Sequence, residues 1–179
     1  MQPATAGPLL GEWACLGILY QGPAHGYTIA GRLKPGGDVG RVWTLSRPLT
    51  YRAIDLLTAR GFVAHVGEEP GLAGGTRTIL AATKPGRAGF RRWVRTPVEH
   101  LRDLRSELLL KLVLAEQCRL DTRDLIAAQR HRVAALAAAL ESPATGIADP
   151  VALWRSETAN AAVRFLDRLD RLDRRDRRA

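Results

Sequence analysis

The stretch from Ser46 to Gly61, SRPLTYRAIDLLTARG, constrains the fold more than any other part of the chain. At about 100° per residue, the advance of an α-helix, Leu49, Ala53, Leu56 and Leu57 gather on one side and Arg47, Tyr51, Asp55 and Thr58 on the other. The pattern predicts a helix with one face in a core and one face free. Ser46 can cap the first backbone N–H groups, Pro48 falls in the first turn where its missing N–H costs little, and Gly61 supplies a stop. An arginine and a phenol stand early on the free face, the end that the second helix of a helix-turn-helix turns toward base edges and phosphates.

The remaining segments agree with that placement. Leu9–Tyr20 reads as a helix closed by Gln21-Gly22-Pro23, and His25–Lys34 as a second helix that buries Tyr27, Ile29, Ala30 and Leu33 before Pro35-Gly36-Gly37. Val42-Trp43-Thr44-Leu45 reads as a short extended piece. After Gly61 the period becomes extended: Phe62–Val66 and Thr76–Ala82 are β-prone runs joined by the loop Gly67–Gly75, which makes a hairpin. Three helices followed by a hairpin form a winged helix-turn-helix. From Thr83 a helical pattern resumes up to Pro97, and beyond it Val98–Glu116, Leu125–Leu140 and a long helix from about Val151 read as a helical region, with Ser142–Pro150 as a loop. The expected fold is therefore mostly α with a small β-hairpin: residues 1–96 as a winged helix and residues 97–179 as a helical dimerisation region, its tail DRLDRLDRRDRRA fraying.

Charge indicates the partner. The chain of 179 residues carries a formal +9, and residues 1–96 hold 12 Lys and Arg against 5 Asp and Glu, whereas residues 97–179 hold 15 against 13. A polyanion is the first expectation, and the excess sits in the winged-helix half. The two cysteines, Cys15 and Cys118, are too few for a disulfide framework and read as buried thiols. The start MQPATAGP lacks a charged n-region and a cleavage site, and the apolar run LLGEWACLGILY is too short to span a bilayer, so a cytoplasmic location without membrane contact is expected.

Four segments carry a resemblance to the PadR-like transcriptional regulators, and that resemblance extends over nearly the whole chain. GPAHGYTIAGRL is similar to the family's second helix, VWTLSRPLTYRAIDLLTARGFV to its recognition helix with the preceding tryptophan, ATKPGRAGFRRWV to its wing exit and following helix, and LRDLRSELLLKLVLA to the opening of its dimerisation region. The resemblance implies a homodimer that sets two winged helices on a pseudo-palindromic operator in double-stranded DNA, usually as a repressor. Arg52 stands where the family commonly has proline, TRTILAAT lacks the usual wing aromatic, and Glu68 and Glu69 put negative charge in the wing, so its contribution is expected through Arg77 and the backbone near Gly74 and Gly75.

Candidate DNA contacts are Ser46, Arg47, Thr50, Tyr51, Arg52, His25, Lys34 and Arg77. Arg47 could reach a guanine edge or a phosphate, while Tyr51 and Ser46 fit phosphate. For Thr50, Arg52 and Lys34 a plain surface role is equally open, and a lone His25 at a helix start is more often structural. Leu101, Leu104, Leu108, Leu112, Trp154, Phe165 and Leu169 are the dimerisation candidates, with Trp154, Thr158, Ala161, Phe165, Leu169 and Leu172 spaced as a coiled-coil seam. Trp13, Trp93 and Trp154 are either core anchors or the lining of a pocket for a small hydrophobic or aromatic effector.

His65, His100 and His131 lack spaced ligand partners, so no metal is expected. Nucleophile elbows, phosphate loops and paired acid–base groups are all missing, so neither an enzyme nor a cofactor is expected. A competing reading is a winged helix used as a protein-interaction module without sequence-specific DNA binding.

Overall fold

The computed structural model describes residues 7–70, 76–140 and 149–176, with side chains through Leu172. The chain divides into two compact units: Met1–Val94 with Leu109–Leu120, and Arg95–Leu108 with Asp121–Ala179.

The first unit is a winged helix. Its spine is α1 (Leu10–Gln21), which buries Ala14, Cys15, Leu16, Ile18 and Leu19. A helix apolar on most sides needs neighbours on most sides, and α1 has them. It touches α2 (Gly26–Leu33), α3 (Arg47–Ala59), the strand β3 (Thr76–Ala82) and α6 (Leu109–Gln117). Gly17 makes room for two of these layers, because a Cβ there would stand 2.7 Å from Leu114 Cδ1 and 2.9 Å from Phe90 Cε2. Phe90 and Trp93 belong to α4 (Lys84–Arg95), and Trp13 of α1 stacks on Trp93 with ring centroids 5.1 Å apart.

The wing is a three-stranded antiparallel sheet. β3 lies between β1 (Ala24–His25) and β2 (Val63–Pro70), in the order β1-β3-β2, with a bulge between His65 and Gly67. The strand β2 thus runs through Gly67–Pro70, residues that composition assigns to a loop; pairing of Glu68 with Thr78 and of Glu69 with Arg77 keeps them extended. The remainder of that expected loop, 71–75, with Gly74 and Gly75, lies outside the described residues. β1 escapes sequence reading because a two-residue bridge has no period. Val42 and Trp43 are not extended but wound into a turn, both donating to the Val39 carbonyl, and Thr44 Oγ1 donates to that of Gly40. Gly40 is required there, since a Cβ would lie 1.9 Å from the Lys34 carbonyl oxygen.

The second unit contains α5 (Leu101–Asp103), a π-helical turn (Leu104–Leu108), α7 (Arg123–Leu140) and α8 (Pro150–Asp176). Arg130 of α7 pairs with Asp167 of α8, and Leu136 and Thr158 line one cavity, so the two helices run antiparallel. Leu125, Ile126, Val133 and Ala137 of α7 and Ala159 and Leu166 of α8 are buried. Gln129 is 1% exposed and its amide matches the Val98 backbone, accepting from the N–H at 2.7 Å and donating to the carbonyl at 3.2 Å. Both polar ends are satisfied, which removes the desolvation cost of burying that amide. The loop expected over Ser142–Pro150 falls largely on residues outside those described, as does the end of the charged tail.

One expectation about this helical region changes. Leu110, Leu114 and Ala115 are buried in the first unit, so a boundary drawn at Pro97 separates them from their own core. On α8 Ala159 and Leu166 are buried within the unit, while of the expected seam Leu169 is half-buried and Trp154 and Phe165 are 72% and 40% exposed. Among the described residues no helix is long and apolar enough to cross a membrane.

Both thiols are held as inert groups. Burial, helped by the Glu12 carboxylate, pushes Cys15 up to about 12, and burial pushes Cys118 up to about 11 against the opposing pull of Arg32 and Arg87. At pH 8 the more acidic of the two is then about one part in a thousand thiolate, which is the reactive form. Alkylation by iodoacetamide is therefore expected to run at least about 100-fold slower in the native protein than in denaturant. Equal rates in the two states, followed by mass spectrometry, would show these thiols to be open.

Candidate nucleic-acid interface

The helix α3 begins and ends as its sequence dictates. Ser46 Oγ accepts from the Leu49 N–H at 3.5 Å, and Pro48 sits within the first turn. At the far end Gly61 adopts φ +70°, Gly61 N donates to Thr58 O, and Phe62 N donates to Leu57 O at 2.9 Å. That pair of bonds is a Schellman stop, which needs a residue tolerant of the left-handed region, and it turns the chain directly into β2.

The face buried by α3 differs from the expected one. Thr50, Ala53, Ile54 and Leu57 are buried, whereas Leu49 and Leu56 are exposed. The stripe at spacing i, i+3, i+4, i+7 is rotated by about one residue, because Thr50 Oγ1 donates to the Ser46 carbonyl at 3.0 Å and so enters the core with its hydroxyl satisfied. Thr50 is thereby withdrawn from the surface, with no atom left to offer a duplex. Its place is structural.

The outward side of α3 keeps Arg47, Tyr51 and Arg52. Arg47 does not stand alone: its guanidinium carbon lies 5.7 Å from the Tyr27 ring centroid and 5.8 Å from that of Tyr51. Tyr27, expected in the core, is 67% exposed, and the buried set of α2 is Gly26, Ile29, Ala30 and Leu33. Tyr51 rests on Gly26, where a Cβ would stand 2.8 Å from its Cε1. Glycine lets the phenol lie against the α2 start; an amphipathic reading of HGYTIAGRL cannot see this, since the exposed aromatic is explained only by its partner on another helix. Lys34 and Ser46 are exposed nearby and share a shallow cavity with Arg47.

The wing closes the other side of a groove of about 480 Å³, lined among others by Tyr27, Arg47, Tyr51, Asp55, His65 and Arg77. Arg77 is exposed and has no ion pair among the described residues. His25 is otherwise placed. Its Nδ1 lies 3.1 Å from Thr78 O and its Nε2 3.1 Å from Glu69 Oε2, so both ring nitrogens are engaged by the wing.

Arg32 and Arg60 of the same unit are paired with its carboxylates. Arg32 chelates Asp38, and these hydrogen bonds hold the Asp38 carboxyl below its ordinary range. Glu12 is 2% exposed; its Oε1 accepts from Leu9 N, and its Oε2 faces Arg60 Nε at 3.3 Å as an ion pair without hydrogen-bond alignment. Five of the basic residues, Lys84, Arg87, Arg91, Arg92 and Arg95, lie on α4, where Arg87 covers the Tyr20 ring at 4.1 Å and donates to its carbonyl. The positive excess of the first half is thus divided between α4 and the surroundings of α3.

Of the dimerisation candidates, Leu108 is fully buried within the second unit and Leu112 is half-buried in the first, while Leu101, Leu104 and Leu169 are half-buried in the second. Trp13 and Trp93 are joined in the core of the first unit, and Trp154 belongs to the second. Among the described residues no group of three or more His, Cys, Asp or Glu side chains is placed to hold a metal ion.

No family model matches the chain, and no curated protein matches it. Among solved structures the chain is similar to Bacillus subtilis PadR in complex with operator DNA, at a TM-score of 0.47 and 18% identity over 89% of this chain and 97% of that one.

Proposed function

We propose that the protein is a cytoplasmic, sequence-specific regulator of transcription of the PadR-like kind, a homodimeric repressor that binds a pseudo-palindromic operator in double-stranded DNA. The observation that carries this reading is the arrangement of α3. One side is held by Thr50, Ala53, Ile54 and Leu57, and the other offers Arg47, Tyr51 and Arg52 beside a wing cation, Arg77. A guanidinium can read guanine bidentately or hold phosphate, and a phenol between two helices fixes register on the backbone. Lys34 and Ser46 flank the same face and add phosphate contacts.

A single winged helix makes few base contacts, so a second copy is needed for discrimination. Trp154, Phe165 and Leu172 leave an apolar strip along α8 that supports self-association, with recognition helices then spaced about one DNA turn, roughly 34–36 Å. Phe165→Glu combined with Trp154→Glu is expected to convert a dimer into a monomer in sedimentation velocity at micromolar concentration. A wild-type chain that sediments as a monomer, or a double variant that still sediments as a dimer, would remove α8 from this role.

A small hydrophobic or aromatic effector would enter beside Trp154, where Leu101 and Leu136 line a cavity of about 730 Å³ in the second unit. Such a ligand acts only through unequal affinity for the DNA-competent and incompetent states. The deciding experiment for the reading as a whole is selection of bound duplexes from a random library. Enrichment of a two-fold motif, with affinity that falls steeply as salt rises, is expected. Binding indifferent to sequence would sink it.

A further inference from the structure

The contact between His25 and the wing has chemistry of its own. Both atoms facing the ring are acceptors: the Thr78 carbonyl toward Nδ1 and the Glu69 carboxylate toward Nε2. A neutral imidazole has one N–H and can satisfy only one of them, whereas the imidazolium donates to both. Glu69 also has another cation within reach. It is the register partner of Arg77 across the β2–β3 ladder, and residues opposed in this way share a face with Cβ atoms about 4.5–5.5 Å apart.

We propose that His25 is a positioning residue for the wing: its imidazolium holds Glu69 against the start of α2, keeps that carboxylate off Arg77, and leaves the Arg77 guanidinium free for a DNA phosphate. When the ring is neutral, Glu69 turns to Arg77 and the wing loses both its anchor and its cation. The inference about phosphate rests on the DNA-binding reading; the wing anchor does not. His25 shares its groove with titratable and charged groups of every neighbouring element: His65 of β2, Arg77 of β3, Tyr27 of α2, and Arg47, Tyr51 and Asp55 of α3. Among the described residues only Glu69 touches a ring nitrogen with a charge.

A histidine changes charge around pH 6.5, so the test spans pH 6 to 8. In the full-length protein without DNA, protection from hydrogen exchange of the amides that bond across the β2–β3 ladder between residues 67–70 and 76–79, corrected for intrinsic rates, is expected to fall about threefold over that range, the scale of an exposed ion pair. Duplex affinity, measured on the selected operator, is expected to fall by a similar factor. His25→Gln and Glu69→Gln should each flatten both profiles, with Glu69→Gln at high affinity throughout and His25→Gln at low affinity, while His65→Gln keeps the wild-type profile. Arg77→Gln should flatten the affinity profile and leave the exchange profile intact. Wild-type protection that is equal at pH 6 and 8, or a profile that survives in Glu69→Gln or disappears in His65→Gln, overturns the proposal. Should the protein bind no duplex at any pH, the regulator reading fails, and the exchange profiles still decide the anchor.

Discussion

Cleaving the chain after Pro97 is expected to abolish folding of the winged helix, not to release it. The core of that unit includes Leu110, Leu114 and Ala115, all 0% exposed and all lost with the cut. Leu114 fills the space left open by Gly17, its methyl standing 2.7 Å from where a Cβ would be. Removing a buried leucine side chain costs about 2–5 kcal/mol, and whole domains are stable by only about 5–15 kcal/mol. Two leucines and an alanine, with the helix that carries them, therefore consume most of the margin. The finer form of the same prediction is Leu114→Ala in the full chain, expected to lower unfolding stability by about 2–5 kcal/mol in urea titration. A fragment of residues 1–97 with native near-ultraviolet circular dichroism and a cooperative transition would show that α6 is dispensable.

Replacing Arg47 with alanine is expected to weaken operator binding about 10- to 100-fold, the range of a good base contact or a strong phosphate contact. The two cases separate by their signatures. Loss of a guanine contact relaxes the preference at one position, whereas loss of a phosphate contact weakens all sequences alike and lowers the salt slope by about one. Arg47 is exposed, so thermal stability should move by less than about 0.5 kcal/mol. For Tyr51 the informative change is Tyr51→Phe, since the ring packs on Gly26 and alanine would disturb that contact. Its affinity should fall about 3- to 10-fold if the hydroxyl holds phosphate. Unaltered gel-shift affinity in both variants would take α3 out of the recognition role.

How far the residues alone could be read varied by element. The limits of α3 were legible, because Ser46, Pro48 and Gly61 act locally, through caps and a left-handed stop that depend on nearby backbone only. Its burial was not. Thr50 entered the core and Leu49 left it, since helix rotation is set by where α1 and α2 lie and hydrophobicity alone did not choose between neighbouring registers. Tyr27 shows the same effect on α2: its exposure goes with a contact to Arg47 that is 20 residues distant in sequence. For His25 a structural role was legible but its partners were not, because Glu69 and Thr78 meet it only after the hairpin folds back on β1.

Sequence by itself determined the order of the helices and of the two hairpin strands, the limits of α3, the basic character of the first half and the outward position of Arg47 and Arg52, all of which follow from periodicity and composition within a few residues. Tertiary structure alone decided which cations remain available, that α6 completes the first core, and that the histidine at the start of α2 belongs to the wing. Each of those depends on side chains brought together from distant positions, and such meetings are governed by packing and charge pairing across elements, which no local pattern encodes.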